Sequence, residues 1–156
     1  MKLLSRASAL AVGLVLLSAP ATLAAQNWRS SSNPLVVYEN GVAQGGAYGT
    51  FEADPTSNGA HVYNAGYLKD FKPTGNSIYH ETNYSYAQCS GCPTTGGGQF
   101  QSTRWNGDYW RLFTPGATTI LSDAWDYARG AITVCEDQQF SPDPCSTQIV
   151  TGYDYF

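Results

Sequence analysis

The run Ser77-Ile78-Tyr79-His80-Glu81-Thr82-Asn83-Tyr84-Ser85-Tyr86-Ala87 decides the fold class. Ile78, His80, Thr82, Tyr84 and Tyr86 occupy alternate positions, and a period of two puts them on one face of an extended strand. Tyrosine, threonine and isoleucine favour that conformation, and no helical spacing competes with it. Upstream, Pro73-Thr74-Gly75-Asn76 breaks the chain. Further upstream, Ala60 to Lys69 reads as a strand, preceded by the turn composition Asp54-Pro55-Thr56-Ser57-Asn58-Gly59. Val42 to Ala53 alternates Ala47, Gly49 and Phe51 against Tyr48, Thr50 and Glu52. Asn40-Gly41 is a tight-turn signal joining it to Leu35-Val36-Val37-Tyr38-Glu39.

Downstream of the deciding run, a loop spans Cys89 to Gly98. Gln99 to Trp105 reads as a strand, and Asn106-Gly107 as a second tight turn into Tyr109 to Phe113. Pro115-Gly116 turns again before Thr118 to Leu121. Ala124 opens a segment with a helical turn that ends as the strand Ala131 to Cys135. Ile149, Thr151, Tyr153 and Tyr155 alternate in the last stretch. The expectation is all-β: an antiparallel β-sandwich of seven to nine short strands, stapled by disulfides. No alternation of strands and helices calls for a parallel sheet.

The 156 residues suffice for one domain. Charged residues make up 13% and aromatics 13%, with 11 tyrosines, a balance opposite to that of a disordered chain. Met1 to Arg6 carries two positive charges, Ala7 to Leu17 is apolar, and small residues end at Ala24-Ala25. This is the pattern of a secretory signal peptide over 1–25, its apolar run well short of the ~20 residues needed to span a bilayer. A polar arm follows over 26–34, where three consecutive serines and a proline argue against regular structure, and a single sandwich domain over 35–156. Removing the leader leaves 6 basic residues (the 8, less Lys2 and Arg6) against 12 acidic ones. That balance excludes a nucleic-acid backbone as partner, because phosphate binding needs clustered Lys and Arg. The expected product is secreted and extracellular, without stable membrane insertion.

Cys89, Cys92, Cys135 and Cys145 all follow the leader. Four cysteines in an oxidising compartment make two disulfides with three possible connectivities, the most economical being Cys89–Cys92 with Cys135–Cys145. A redox Cys-x-x-Cys needs a helix N-terminus, whereas Cys92 runs into Pro93 and three glycines. Zinc ligation fails on spacing, since nine residues separate the second pair.

No catalytic residue, metal or cofactor is assigned. His61 and His80 are the two histidines, and no Gly-x-Ser-x-Gly motif accompanies them. Asp108, Asp123, Asp126, Glu136, Asp137 and Asp143 are candidate carboxylates. Most fall in turns, where aspartate binds nearby backbone N–H groups. Glu136, Asp137 and Asp143 share one loop, which reads as a solvated acidic loop rather than a calcium site. Aromatics carry the stronger signal: Trp105, Tyr109 and Trp110 surround one turn, a composition suited to protein interfaces and sugar stacking. Trp28 is the large apolar residue of the polar arm and reads as an anchor, docking on its own domain or inserting into a partner.

Ala47-Tyr48-Gly49-Thr50-Phe51, Cys135-Glu136-Asp137-Gln138 and Ser141-Pro142-Asp143-Pro144-Cys145, ahead of a short aromatic last strand, resemble small secreted actinobacterial proteins. Among these the chain is similar to the adaptor subunit of umbrella toxin particles. The resemblance implies a noncatalytic sandwich that bridges a toxin chain and a lectin-like subunit in an antibacterial complex, and it supplies no catalytic residues. The competing expectations are a carbohydrate- or cell-wall-binding module stacking sugars on Trp105, Tyr109 and Trp110, an inhibitor of an extracellular hydrolase presenting the loop Cys135 to Cys145, and a bacteriocin acting alone.

Overall fold

A computed structural model describes residues 25–57, 59–73, 75–89, 91–113, 119–120 and 125–156. The leader up to residue 24, the Pro115-Gly116 turn, Asp123 and the start of the turn at Ala124 lie outside the described residues. Eleven strands are described and no helix: β1 Gln26–Arg29, β2 Leu35–Glu39, β3 Val42–Thr56, β4 Gly59–Asp70, β5 Ser77–Ala87, β6 Thr95–Gln101, β7 Arg111–Phe113, β8 Thr119–Ile120, β9 Tyr127–Asp137, β10 Ile149–Val150 and β11 Asp154–Tyr155.

All pairings are antiparallel, in two sheets. In the first sheet the long hairpin β3–β4 is central, with β1 and β2 following one another along the edge of β3 and β7 and β8 along β4. The second sheet runs β6–β5–β9, with β10 and β11 along the outer edge of β9. The fold is therefore the expected antiparallel all-β architecture, and β5 covers the residues of the deciding run. The strand count exceeds seven to nine because three of the eleven are only two residues long. The central strands are not short: β3 has 15 residues and runs on through Asp54 and Pro55, which composition had placed in a turn. The helical turn expected from Ala124 is absent from Trp125 onward, where the chain soon enters β9.

Two other expectations are corrected. The polar arm is not irregular: Gln26–Arg29 pair with β3, Gln26 opposite Phe51 and Asn27 opposite Thr50. The Asn106-Gly107 turn does not close a hairpin either. β6 ends at Gln101 in the second sheet and β7 begins at Arg111 in the first, so residues 102–110 cross between the sheets. Both errors have one cause, which is that turn and loop composition reports local bending and carries no information on which sheet the flanking residues join.

The core forms where the two sheets face each other. Leu35, Val37, Ala47, Phe51, Val62 and Leu68 come from the first, Ile78, Tyr84, Ala128, Ile132 and Val134 from the second. Large side chains of each sheet rest on glycines of the other. A Cβ on Gly130 would sit 2.9 Å from the Phe51 ring, and one on Gly45 would collide with the Ile78 side chain. Alternating large and absent side chains lets the layers interdigitate at close-packed density.

A polar node lies inside this core. Asn64 of β4 is fully buried; its Oδ1 accepts the Trp28 indole N–H at 2.8 Å. Its Nδ2 donates to Thr82 Oγ1 at 2.8 Å and faces His80 Nδ1 at 3.3 Å, both on β5 of the opposite sheet. One amide thereby ties β1 to both layers. Buried polar groups left unpaired cost about 1–3 kcal/mol each. Asn64→Ala is accordingly expected to destabilise the protein by about 3 kcal/mol, since it strands the Trp28 N–H and the Thr82 hydroxyl and opens a cavity. Urea unfolding followed by tryptophan fluorescence measures this; a loss under half that size would show the node to be incidental.

Candidate functional site

Of the four residues singled out for partner binding, only Trp105 and Tyr109 come together. Trp28 is 7% exposed, with its ring in the core cluster and its N–H spent on Asn64. It docks on its own domain, which withdraws it as an element that inserts into a partner. Removing 26–33 would strip a core residue rather than cut a tether.

Trp105, Tyr109 and Trp110 lie on the 102–110 crossover. Backbone hydrogen bonds to Ile78 in both directions, 2.7 and 2.8 Å, fix Trp105 against β5. Its half-buried ring packs on the core, and its N–H donates to the Tyr109 carbonyl at 3.1 Å. The Tyr109 ring stands edge-on to it at 5.0 Å, and the Arg111 guanidinium lies 4.7 Å from its centroid. Trp110 instead stands perpendicular to Tyr48 at 4.9 Å and to Phe71 at 6.1 Å. The platform expected from the three rings is thus divided between two places.

Sequence reasoning missed the partners of Trp110. Tyr48 and Tyr67 are directly opposite in the β3–β4 register and stack at 4.8 Å with 10° between planes. Burial, then Tyr67, raises the Tyr48 phenol above its ordinary value. Leu112 of β7 pairs with Tyr67 and is exposed, extending this aromatic strip. The outward alternation of Tyr48 was legible, but its juxtaposition with Tyr67 depends on the hairpin register.

Both disulfides follow the economical connectivity, Cys89–Cys92 and Cys135–Cys145. Such crosslinks belong to an oxidising environment. The loop between Cys135 and Cys145 is held at further points. Glu136 N–H donates to the Pro144 carbonyl at 3.1 Å. Asp143 accepts from the Gln138 N–H at 2.9 Å and from the Tyr79 hydroxyl at 2.8 Å. Asn76 and Gln138 amides donate to Glu136, Gln138 also reaches Glu39 at 2.8 Å, and Asp137 pairs with Arg104 at 3.0 Å. The acidic residues of this loop are each engaged by protein donors. Among the described residues no group of three or more His, Cys, Asp or Glu could hold a metal ion. At the tip of the loop Phe140 is 97% exposed. Beside it, Glu39, Asn76, Gln138, Gln139 and Ser141 line a depression of about 470 Å³.

A second depression, of about 520 Å³, lies on the other sheet between β1 and Tyr48. Asn27, Arg29, Ser30, Ser31 and Asn33 line it with Tyr48 and Trp28.

His80 is fully buried, its Nε2 has no hydrogen-bond partner, and its backbone N–H donates to Ser102 Oγ at 3.1 Å. It is a core residue of β5. His61 lies on the outward face of β4, opposite Asp54. No helix among the described residues is long and apolar enough to cross a membrane. A search of protein-family models finds no match to this chain, and neither the curated proteins nor the solved structures contain a significantly similar one.

Burial pushes the His80 imidazole down to about 4. In the unfolded chain it titrates near 6.5. Between those values the unfolded state binds the extra proton, so this contribution is complete above ~6.5 and is lost as pH falls toward 4, at up to about 1.4 kcal/mol per unit. Asp70 and Asp154 act with the opposite sign, because burial raises both carboxyls. The urea midpoint is expected to fall between pH 6.5 and 4, and to fall less steeply in His80→Gln. Equal slopes would assign the acid limb to other groups.

Proposed function

We propose that this chain is a secreted, noncatalytic binding protein that docks other secreted proteins, an adaptor of the kind that joins a toxin chain to a lectin-like subunit in an extracellular antibacterial complex. The observation that carries the reading is Phe140. A phenylalanine left in water forgoes roughly 2–3 kcal/mol of burial, and here it stands on a loop fixed by a disulfide and several hydrogen bonds. A rigid aromatic at a loop tip loses little conformational entropy on docking, which is the property of an interface hot spot.

The surroundings support a definite kind of partner. Glu39, Glu136, Asp137 and Asp143 sit at this end of the sandwich, with Arg104 paired to Asp137. The complementary surface is an apolar pocket with a cationic rim. The aromatic strip Tyr48, Tyr67, Trp110 and Leu112 belongs to the outer face of the other sheet and offers a separate contact area, as a bridging subunit requires. The signal-peptide pattern at the N-terminus and the two disulfides agree with an extracellular location.

Size-exclusion chromatography of the tagged protein from its producer's culture medium, with mass spectrometry of the co-eluting chains, tests the reading. The expected result is elution far above a lone domain, together with a large toxin-like chain and a lectin, and loss of at least one of these in Phe140→Ala. That variant is expected to keep its unfolding midpoint, because the side chain touches no core. Elution of the unaltered protein as a lone monomer would overturn the adaptor role.

A further inference from the structure

A sugar ring offers two surfaces to a protein. Its C–H face packs on an aromatic ring, and its hydroxyl edge is held by planar amides and guanidinium groups that can pair with adjacent oxygens. A saccharide site therefore needs an aromatic wall next to polar side chains whose hydrogen bonds are unspent. The depression between β1 and the outer face of β3 has both.

The aromatic wall is Tyr48. One face of its ring is covered by Tyr67 at 4.8 Å, and Trp110 stands perpendicular at 4.9 Å, so the ring is held in place by its neighbours. The polar wall comes from β1 and the turn after it. Pairing between β1 and β3 shifts between Asn27 and Arg29, a bulge that takes the Trp28 ring into the core and leaves Asn27 and Arg29 exposed. Residues 30–33 form a tight turn closed by the Asn33 N–H donating to the Ser30 carbonyl at 3.1 Å. This turn brings Ser31 and Asn33 to the same depression as Tyr48.

These side chains are not used by the fold. Ser30 and Ser32 bond each other at 3.0 Å. The side-chain amides of Asn27 and Asn33 and the Arg29 guanidinium make no hydrogen bond or ion pair among the described residues. Arg29 is one of 8 basic residues in an acidic chain, left without a counter-ion beside two free amides and an aromatic ring. The volume of about 520 Å³ lies inside the ~300–1,000 Å³ range of small-ligand sites.

We infer that this depression is an oligosaccharide-binding site, with a sugar ring packed on Tyr48 and its hydroxyl or carboxylate oxygens held by Asn27, Arg29 and Asn33. The site is independent of the Phe140 loop and goes beyond the protein-docking role. It also moves sugar recognition away from Trp105 and Tyr109, which are committed to each other on the crossover.

The test is a titration of the purified, isotope-labelled protein, read by amide chemical shifts. The probes are chitohexaose, cellohexaose, mannohexaose and oligogalacturonate at millimolar concentration, with inorganic phosphate as the anion control. At least one oligosaccharide is expected to shift Asn27, Arg29, Asn33 and Tyr48 together, including the side-chain signals of both asparagines and of Arg29. Arg29→Gln and Tyr48→Ala are each expected to weaken that binding by about tenfold or more, equivalent to ~1.4 kcal/mol, while Phe140→Ala leaves it unchanged. Because Arg29 and Asn33 are exposed, Arg29→Gln and Asn33→Ala keep the test valid should Tyr48→Ala disturb the sheet. Shifts confined to Arg29 and reproduced by phosphate alone would overturn the inference in favour of a simple anion site. Silence of these residues toward all four oligosaccharides would overturn it outright.

Discussion

The Asn64 side chain is the constraint on which the rest of the molecule depends. A primary amide has one acceptor oxygen and two donor hydrogens, and this one directs them at three side chains on two strands: the oxygen at Trp28 of β1, the nitrogen at Thr82 and His80 of β5. Because the amide is fully buried, every alternative arrangement strands at least one polar group away from water. Hydrophobic packing alone tolerates small slips between layers, whereas a satisfied buried network selects one arrangement. The position of β1 follows from it.

Fixing Trp28 inward also decides what β1 shows to solvent. Asn27 and Arg29 flank it and must point away from the core, so the same contact that anchors the strand lays out the polar wall beside Tyr48. At the end of the sandwich a different solution holds the Cys135–Cys145 loop. There the crosslink, the paired acceptors of Asp143 and the prolines at positions 142 and 144 remove the freedom that would let Phe140 fold back onto the domain. Both surfaces consist of residues that the core leaves unused, on a scaffold whose own polar demands are met elsewhere.

Legibility in the sequence varied with the range of the interaction. The span of β5 was readable because alternation is a local property of eleven consecutive residues. The Cys89–Cys92 and Cys135–Cys145 pairs were readable because short sequence separation makes closure cheap. The Trp105 to Trp110 segment was misread, since Asn106-Gly107 carries the composition of a hairpin turn while the chain actually passes from one sheet to the other. The arm was misread because three serines and a proline outweighed one tryptophan, and only its burial against Asn64 reveals where that tryptophan goes. Tyr67 went unnoticed as a partner of Tyr48, nineteen positions away across the hairpin, because their pairing is set by register.

By itself, then, the sequence determined the existence of the long strands β3, β4 and β5, the two short disulfides and the inward and outward faces of β3 and β5, all of which depend on side chains within about ten residues of one another. Tertiary structure alone decided which sheet each strand joined, that Trp28 is core, that Trp105 and Trp110 part company, and that Phe140 stands clear of the core. Those outcomes turn on which surfaces meet when two sheets close over a buried amide. That is a competition between distant groups for the same volume, and local composition carries no record of it.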